Sequence, residues 1–299
     1  MSGQQSVHAH GFGPLALISD EAASCLEGQI AAVNRLGWRT LELRTVAGRP
    51  LAELSPGEVR EIGARLAEAG LDVVCLASRI GNWARPVTRD FAEDLTELDT
   101  LLQQCRLLQS RLIRVMSYPN DGLPQEEWGR EVTARMVRLT ARAEAAGVTL
   151  VHENCAGWAG DSAARTLGLL REVASPALRV LFDTGNGVPH GYDARKLLEQ
   201  LLPHVAHVHI KDAVRTPEGD TAYTLPGDGA VELAECLNML AHSGYSGALS
   251  LEPHLAVRPH EGLDRPGADA VSLTVRAGER LEELLRGAPA PAPAPEPPG

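Results

Sequence analysis

The chain has 299 residues and carries 39 Asp and Glu against 28 Lys and Arg, a formal net charge of −11. A hydrophobic share of 44% is enough to bury a sizeable core and excludes wholesale disorder. The acidic balance argues against a nucleic acid or an anionic membrane as partner, because both are bound largely through Lys and Arg.

Residues 1–14 are polar and Gly-rich and read as a flexible tail, with His8 and His10 solvated in it. They lack a basic stretch followed by an apolar one, so no signal peptide is expected. From Leu15 the chain repeats one theme, a short apolar run followed by a longer segment of helical period. Strands are expected at Leu15–Ile18, Thr40–Leu43, Asp72–Leu76, Leu112–Met116, Thr149–Glu153, Val180–Asp183, His207–Ile210 and Ala248–Glu252. Helices are expected at Cys25–Leu36, Glu58–Ala69, Glu93–Leu108, Glu126–Ala146, Ser162–Val173, Arg195–Leu202, Val231–His242 and Ala270–Leu285. Gly37, Gly70 and Gly147 follow their helices directly, where a left-handed residue ends a helix at low cost. Residues 287–299 are dominated by Ala and Pro, which cannot sustain a helix, and read as a disordered tail.

Eight strands alternating with eight helices predict an α/β fold, a single-domain (β/α)8 TIM barrel over residues 15–286. The first strand runs into Ser19-Asp20-Glu21-Ala22, so no dinucleotide fingerprint is present. Five scattered cysteines without a CxxC pair argue against disulfides and thiolate zinc, and for a reducing, cytoplasmic setting. No apolar run approaches the length of a membrane span.

Active sites of such barrels form at the C-terminal strand ends. Strands five to eight end in His152-Glu153-Asn154, Phe182-Asp183-Thr184-Gly185-Asn186, His207-Val208-His209-Ile210-Lys211-Asp212 and Leu251-Glu252-Pro253-His254. Each therefore contributes one oxygen or imidazole donor: Glu153, Asp183, His209, Glu252. Three carboxylates and an imidazole on one rim repel unless a cation joins them. The mixed donors suit one divalent ion, Mn²⁺ first, then Mg²⁺, Co²⁺ or Zn²⁺. Taken singly, each acid is as well explained by pairing with a nearby Arg.

These four motifs, in order and one per βα unit, resemble the xylose isomerase-like barrel superfamily, and within it the sugar phosphate isomerase/epimerase group. The resemblance covers Leu15 to about Leu285. It implies that Glu153, Asp183, His209 and Glu252 occupy the metal-ligand positions, and that Glu153 and Glu252 also act as acid and base on opposite faces of the substrate. Dimers and tetramers are frequent in the group, so a homo-oligomer is one expected state. One departure stands out. The group often carries Asp-x-x-His at strand six, and here that histidine's place is taken by Asn186, with His190 four residues on as a substitute.

The chemistry expected is proton abstraction next to a carbonyl, through an enediolate that the metal stabilises. Return of the proton to the same carbon epimerises a sugar or keto-sugar, and return to the neighbouring carbon isomerises it. Loss of a β-substituent instead would make the protein a lyase of the inosose dehydratase or keto-glycoside type. A DNA-repair endonuclease on the same barrel would need further histidines and a basic groove. Alternation along strands seven and eight places His207, His209 and Lys211 on one face, and Ser250, Glu252 and His254 on another. Lys211 and His254 are thus candidate substrate contacts; Arg44 at the rim of strand two is another, the resemblance adds Asn186 and His190, and Trp158 is a candidate apolar wall. The competing structural roles are ion pairing of Lys211 with Asp212 or a rim acid, pairing of Arg44 with Glu42, and loop anchoring by Trp158. Arg114 is a further candidate on strand four. His152, alternating away from Glu153, is expected to pack behind the sheet or orient a ligand. The stretch from Ala213 to Gly229 is a candidate lid.

Overall fold

The computed structural model describes residues 11–259, 262–264 and 269–287. Eight parallel strands close a barrel: β1 (Leu15–Ile18), β2 (Thr40–Leu43), β3 (Asp72–Ala77), β4 (Leu112–Ser117), β5 (Thr149–Gly157), β6 (Leu178–Asp183), β7 (Val205–Ile210) and β8 (Leu249–Leu251). Each pairs with its sequence neighbours, and β8 closes onto β1 through Leu15–Leu249 and Leu17–Leu251. The connecting helices are α1 (Leu26–Arg35), α2 (Pro56–Glu68), α3 (Phe91–Leu108), α4 (Gln125–Ala145), α5 (Ala163–Val173), α6 (Ala194–Leu201), α7 (Leu233–His242) and α8 (Ala270–Gly287). The fold is the (β/α)8 barrel expected from the alternation of periods.

Local chemistry sets the element ends. At α2 the Ser55 hydroxyl accepts from the Glu58 N–H while the Glu58 carboxylate accepts from the Ser55 N–H, and Pro56 opens the first turn, which together satisfy two otherwise unpaired donors. Asp90, Ser162 and Asp193 cap α3, α5 and α6 through their side chains. Gly37, Gly70 and Gly147 all take φ near +69° just past their helices, as their positions required.

Strand ends differ from the expectation in two places that matter. β5 runs four residues further, to Gly157, because a register shift on β4 lets Ser117 pair with Gly157. β8 stops at Leu251, so Glu252 lies just beyond the sheet. Three short hairpins decorate the C-terminal side: Thr45–Val46 with Arg49–Pro50, Ala213–Arg215 with Thr221–Tyr223, and Val257–Arg258 with Leu263–Asp264. The second stands in the expected lid. Its base is tied by Asp212, whose carboxylate accepts from the backbone N–H groups of Ala213, Gly227 and Gly229 at 2.8–3.0 Å.

The outward strand residues, among them Leu17, Leu41, Leu43, Phe182, Val208 and Leu249, are fully buried against the helices. A separate small cluster joins Cys75, Val151 and Leu181. Four residues of the expected front tail, 11–14, are described: Phe12 is buried in the core, and the Gly13 N–H reaches Gly247 O at 3.2 Å. The chain is therefore tied down from Phe12 rather than from Leu15. His8, His10 and the Ala/Pro-rich segment lie outside the described residues. Among the described residues, no helix is long and apolar enough to cross a membrane.

Trp158 lies flat under the Arg165 guanidinium, 4.6 Å from Cζ to ring centroid, and edge-on to Trp128 at 5.2 Å. A Cβ at Gly129 would overlap the Trp158 ring. Gly129→Ala is expected to destabilise the fold by about 1–3 kcal/mol, the usual cost of overpacking. A denaturant titration showing no loss would mean that the ring can shift freely.

Candidate active site

The strands deliver four donors to one point. Glu153 ends the inward run of β5, Asp183 closes β6, His209 lies on β7, and Glu252 follows β8. Because Val208 and Ile210 pack into the outer core, alternation sends His207, His209 and Lys211 the other way. One donor atom from each of Glu153, Asp183, His209 and Glu252 falls within 4.8 Å of all the others, and all four residues are buried.

Asp183, His209 and Glu252 are each held by one atom and present the other, whereas Glu153 is held at both oxygens. Asp183 Oδ1 accepts from the Gly185 and Asn186 N–H groups, both at 2.8 Å, while Oδ2 makes no hydrogen bond. Glu252 Oε1 accepts from Arg44 Nη1 at 2.6 Å, and Oε2 makes none. Glu153 Oε2 accepts from Arg114 Nη1 at 3.1 Å, leaving Oε1 beside Asn186 Nδ2 at 3.1 Å. His209 Nε2 meets the two Glu42 oxygens at 3.1 and 3.2 Å, while Nδ1 is unbonded. That Nδ1 lies 3.6 Å from Glu252 Oε2, 3.8 Å from Glu153 Oε1 and 3.9 Å from Asp183 Oδ2. His209 Nδ1 has no hydrogen-bond partner, Asp183 Oδ2 and Glu252 Oε2 have only the Lys211 ammonium, and these atoms converge with Glu153 Oε1; buried polar atoms so sparsely matched are costly. A divalent cation with O and N ligands fits this donor set.

The charge balance agrees. Buried around the site are six carboxylates (Asp20, Glu21, Glu42, Glu153, Asp183 and Glu252) and three fixed cations (Arg44, Arg114 and Lys211). With His209 as a fourth cation, two negative charges remain unmatched. Burial, reinforced by the Glu252 and Glu153 charges, pushes the Asp183 carboxyl up to about 6. Burial likewise raises Glu21 to about 7. Burial works against the charged forms of Glu252 and His209 too, but their neighbours prevail. Lys211, His254 and Arg44 hold Glu252 well below the usual carboxylate range, and Glu42 and Glu252 lift His209 to about 10.

The other expected residues separate clearly. Lys211 Nζ lies 2.7 Å from Glu252 Oε2 and 3.1 Å from Asp183 Oδ2, off the hydrogen-bonding direction, and 3.2 Å from Asn186 Oδ1. It pairs with the rim acids and not with Asp212, which serves the lid. Asn186 is wired to Glu153, Asn154 and Lys211. His190 and His254 line the cavity, His190 with Cys155 Sγ 3.5 Å away and His254 with Nδ1 2.6 Å from Glu21 Oε1. His152 turns away from the donors to Ser117 Oγ, as alternation required.

Two expectations are corrected. Trp158 does not wall the cavity; it is absorbed between Trp128 and Arg165, and the indole at the mouth is Trp83. Arg44 does not pair with Glu42. Its guanidinium is fully engaged by Asp20, Glu21 and Glu252, so it positions Glu252 and has no fork left for a substrate anion.

Glu42 is the important residue that strand alternation alone did not assign. It bridges His209 and His207, whose Nε2 lies 2.8 Å from Glu42 Oε2. A carboxylate behind a ligand imidazole fixes the tautomer and the ring. Glu42→Gln is expected to weaken divalent-cation affinity by about 10- to 100-fold in a calorimetric titration; unchanged affinity would show that Glu42 does not orient His209.

Above the donors opens a cavity of about 480 Å³, lined by Glu153, Asn186, His190, Lys211, Glu252 and His254 and closed on the lid side by Thr221 and Tyr223. Its floor carries two carboxylates that can exchange protons with a bound carbon acid.

Residues 30–271 match the family described as xylose isomerase-like TIM barrel. An inosose dehydratase of Bacillus thuringiensis (strain Al Hakam) is 28% identical over 180 residues, 55% of this chain and 60% of that protein. A 2-epi-5-epi-valiolone 7-phosphate 2-epimerase of Actinoplanes sp. is 32% identical over 175 residues, 55% of this chain and 59% of that protein. Similarity thus spans about 60% of the length of these relatives. The IOLI protein, solved with a bound zinc atom, shares the fold with a TM-score of 0.73 at 18% identity, covering 92% of this chain and 98% of that one.

Proposed function

The chain belongs to the xylose isomerase-like TIM barrel family, and from that premise we propose that it is a divalent-metal-dependent isomerase or epimerase of a sugar or keto-sugar. The observation that carries this reading is the convergence of donor atoms of Glu153, Asp183, His209 and Glu252, three carboxylates and an imidazole, on the floor of the cavity. A divalent cation, which we take to be Mn²⁺ with Zn²⁺, Mg²⁺ or Co²⁺ as alternatives, would be held by these four residues and supply an electrophile for the substrate's oxygens.

The protein's own groups then move the proton. Glu252, kept ionised by Lys211 and Arg44, takes the proton from the carbon next to the carbonyl. The C–H electron pair passes into the carbonyl, giving an enediolate. Glu153, steadied by Arg114 and Asn186 and entering the step protonated, gives its proton to carbon from the other side, and the reverse reaction exchanges the roles. Lys211 and His254 face the cavity and hold substrate oxygens, while Tyr223 on the hairpin excludes water.

A second reading, elimination of a β-substituent, is favoured by one specific feature: Asn186 replaces a histidine at the end of β6, and its side chain is committed to Glu153 and Lys211. One experiment separates the two. The Mn²⁺-loaded protein is incubated in D₂O with a ketose panel and a keto-inositol. Deuterium at the α-carbon with an otherwise unchanged mass supports isomerisation or epimerisation; loss of water or of an aglycone supports elimination. No exchange and no product with any substrate would contradict both.

A further inference from the structure

The inward face of β7 carries a second imidazole that takes no part in the proton transfer above. His207 lies two residues before His209, wholly buried, in register with Leu181 of the small apolar cluster that Leu181 forms with Cys75 and Val151. Its Nε2 is 2.8 Å from Glu42 Oε2 and 3.1 Å from Ser250 Oγ, whereas its Nδ1 is buried with no hydrogen-bond partner. An imidazole with one unmatched nitrogen is a costly way to fill this layer, and a leucine would fill it without that cost. A polar group kept in such a place marks a functional demand more readily than a stabilising one.

The demand comes from Glu42. A carboxylate offers only acceptors, so the nitrogen facing Glu42 carries the hydrogen in both rings. His209 therefore keeps its Nε2 hydrogen and offers Nδ1, which lies 3.6 to 3.9 Å from donor atoms of Glu252, Glu153 and Asp183. The aim of that nitrogen depends on the plane of the Glu42 carboxylate, and His209 alone does not set it. Its Nε2 meets the two Glu42 oxygens almost evenly, at 3.1 and 3.2 Å. His207 breaks the tie. It takes Oε2 alone, at a shorter distance, with its ring edge-on to that of His209 and the centroids 5.4 Å apart. Among the described residues no other side chain bonds the Glu42 carboxylate.

We propose that His207 is a positioning residue of the metal centre: it fixes the plane of the Glu42 carboxylate, and through Glu42 it aims Nδ1 of His209 at the cation. This rests on the divalent-cation reading above and adds the means by which the imidazole ligand is held. The test is titration of the full-length protein with Mn²⁺ alone, followed through the electron paramagnetic resonance of the free ion. His207→Leu is expected to weaken Mn²⁺ affinity about ten-fold. His207→Gln, whose amide can place an N–H close to where Nε2 stands, should remain within about three-fold of the unsubstituted chain. Because His207 acts through Glu42, adding His207→Leu to Glu42→Gln should cost less than about two-fold beyond Glu42→Gln alone. A histidine that only fills space would behave otherwise, since glutamine would not rescue it and its loss would add in full to that of Glu42. His207→Asn, polar but too short to reach Glu42, provides the same readout if the leucine variant does not fold. Unchanged affinity in the leucine or asparagine variant, no rescue by glutamine, or additive losses would overturn this role while leaving the cation site standing. Absence of Mn²⁺ binding by the unsubstituted chain would overturn the cation reading and the role with it.

Discussion

Glu252→Gln and Glu153→Gln are each expected to lower turnover by about 10⁴-fold or more while leaving the barrel folded. General acid–base catalysis is worth about 10²–10⁴-fold by itself, and each glutamate also belongs to the donor set, so both contributions are lost together. The fold should survive because neither side chain packs in the outer core, and glutamine retains an oxygen for Arg44 or Arg114. Near-UV circular dichroism and elution volume should therefore match the unsubstituted chain. The two variants also differ in kind. Glu252→Gln removes the partner shared by Arg44 and Lys211, leaving two buried cations undercompensated, so it should lower the melting temperature more than Glu153→Gln does. Near-normal turnover in either variant would remove the proposed proton-transfer pair.

Stripping divalent cations with a chelator should abolish turnover and destabilise the protein, and restoring the cation should reverse both. A ligand present at a thousand times its Kd stabilises a fold by about 4 kcal/mol, which for a chain of this size raises Tm by roughly 6 °C. The gain has a defined pH dependence. In the cation-free protein Asp183 titrates near 6, above an unfolded Asp. It must release its proton for the cation to bind, as must His209, which its carboxylate neighbours lift to about 10, so the thermal gain should fall steadily from pH 8 to pH 5. Differential scanning calorimetry at pH 5 and pH 8, with and without Mn²⁺, measures this directly. Equal melting temperatures with and without cation at pH 8 would mean that the buried carboxylates need no counter-ion.

The barrel was legible because its evidence is periodic. Each strand and helix announces itself within ten or twenty residues, and eight repeats reinforce one another. The four donors were legible for the same reason, since alternation along β5 to β8 fixes which side chain faces inward at each strand end. Contacts that depend on closure of the barrel were not. Glu42 and His209 are separated by 167 residues and meet across the barrel, so nothing local to β2 distinguishes an acid orienting an imidazole from one pairing with Arg44. Arg44 itself turned to Asp20 and Glu21, delivered by the neighbouring β1, and to Glu252, brought near only when β8 closes on β1. Trp158 left its expected place on similar grounds, and Trp83, which had been given none, lines the cavity instead. Both follow a strand of the active face, and only packing decides that Trp158 is anchored by Trp128, Arg165 and the gap at Gly129 while Trp83 stays at the cavity mouth. The three hairpins were missed because strands of two or three residues carry no usable period.

The claim on which the account turns is that Glu153, Asp183, His209 and Glu252 together hold one divalent cation. Anomalous diffraction at the manganese edge from crystals of the Mn²⁺-loaded protein tests it directly. One strong peak among these four side chains is the predicted result, weakened or lost in Glu42→Gln. No peak at that position, or a peak held by other residues, would contradict it.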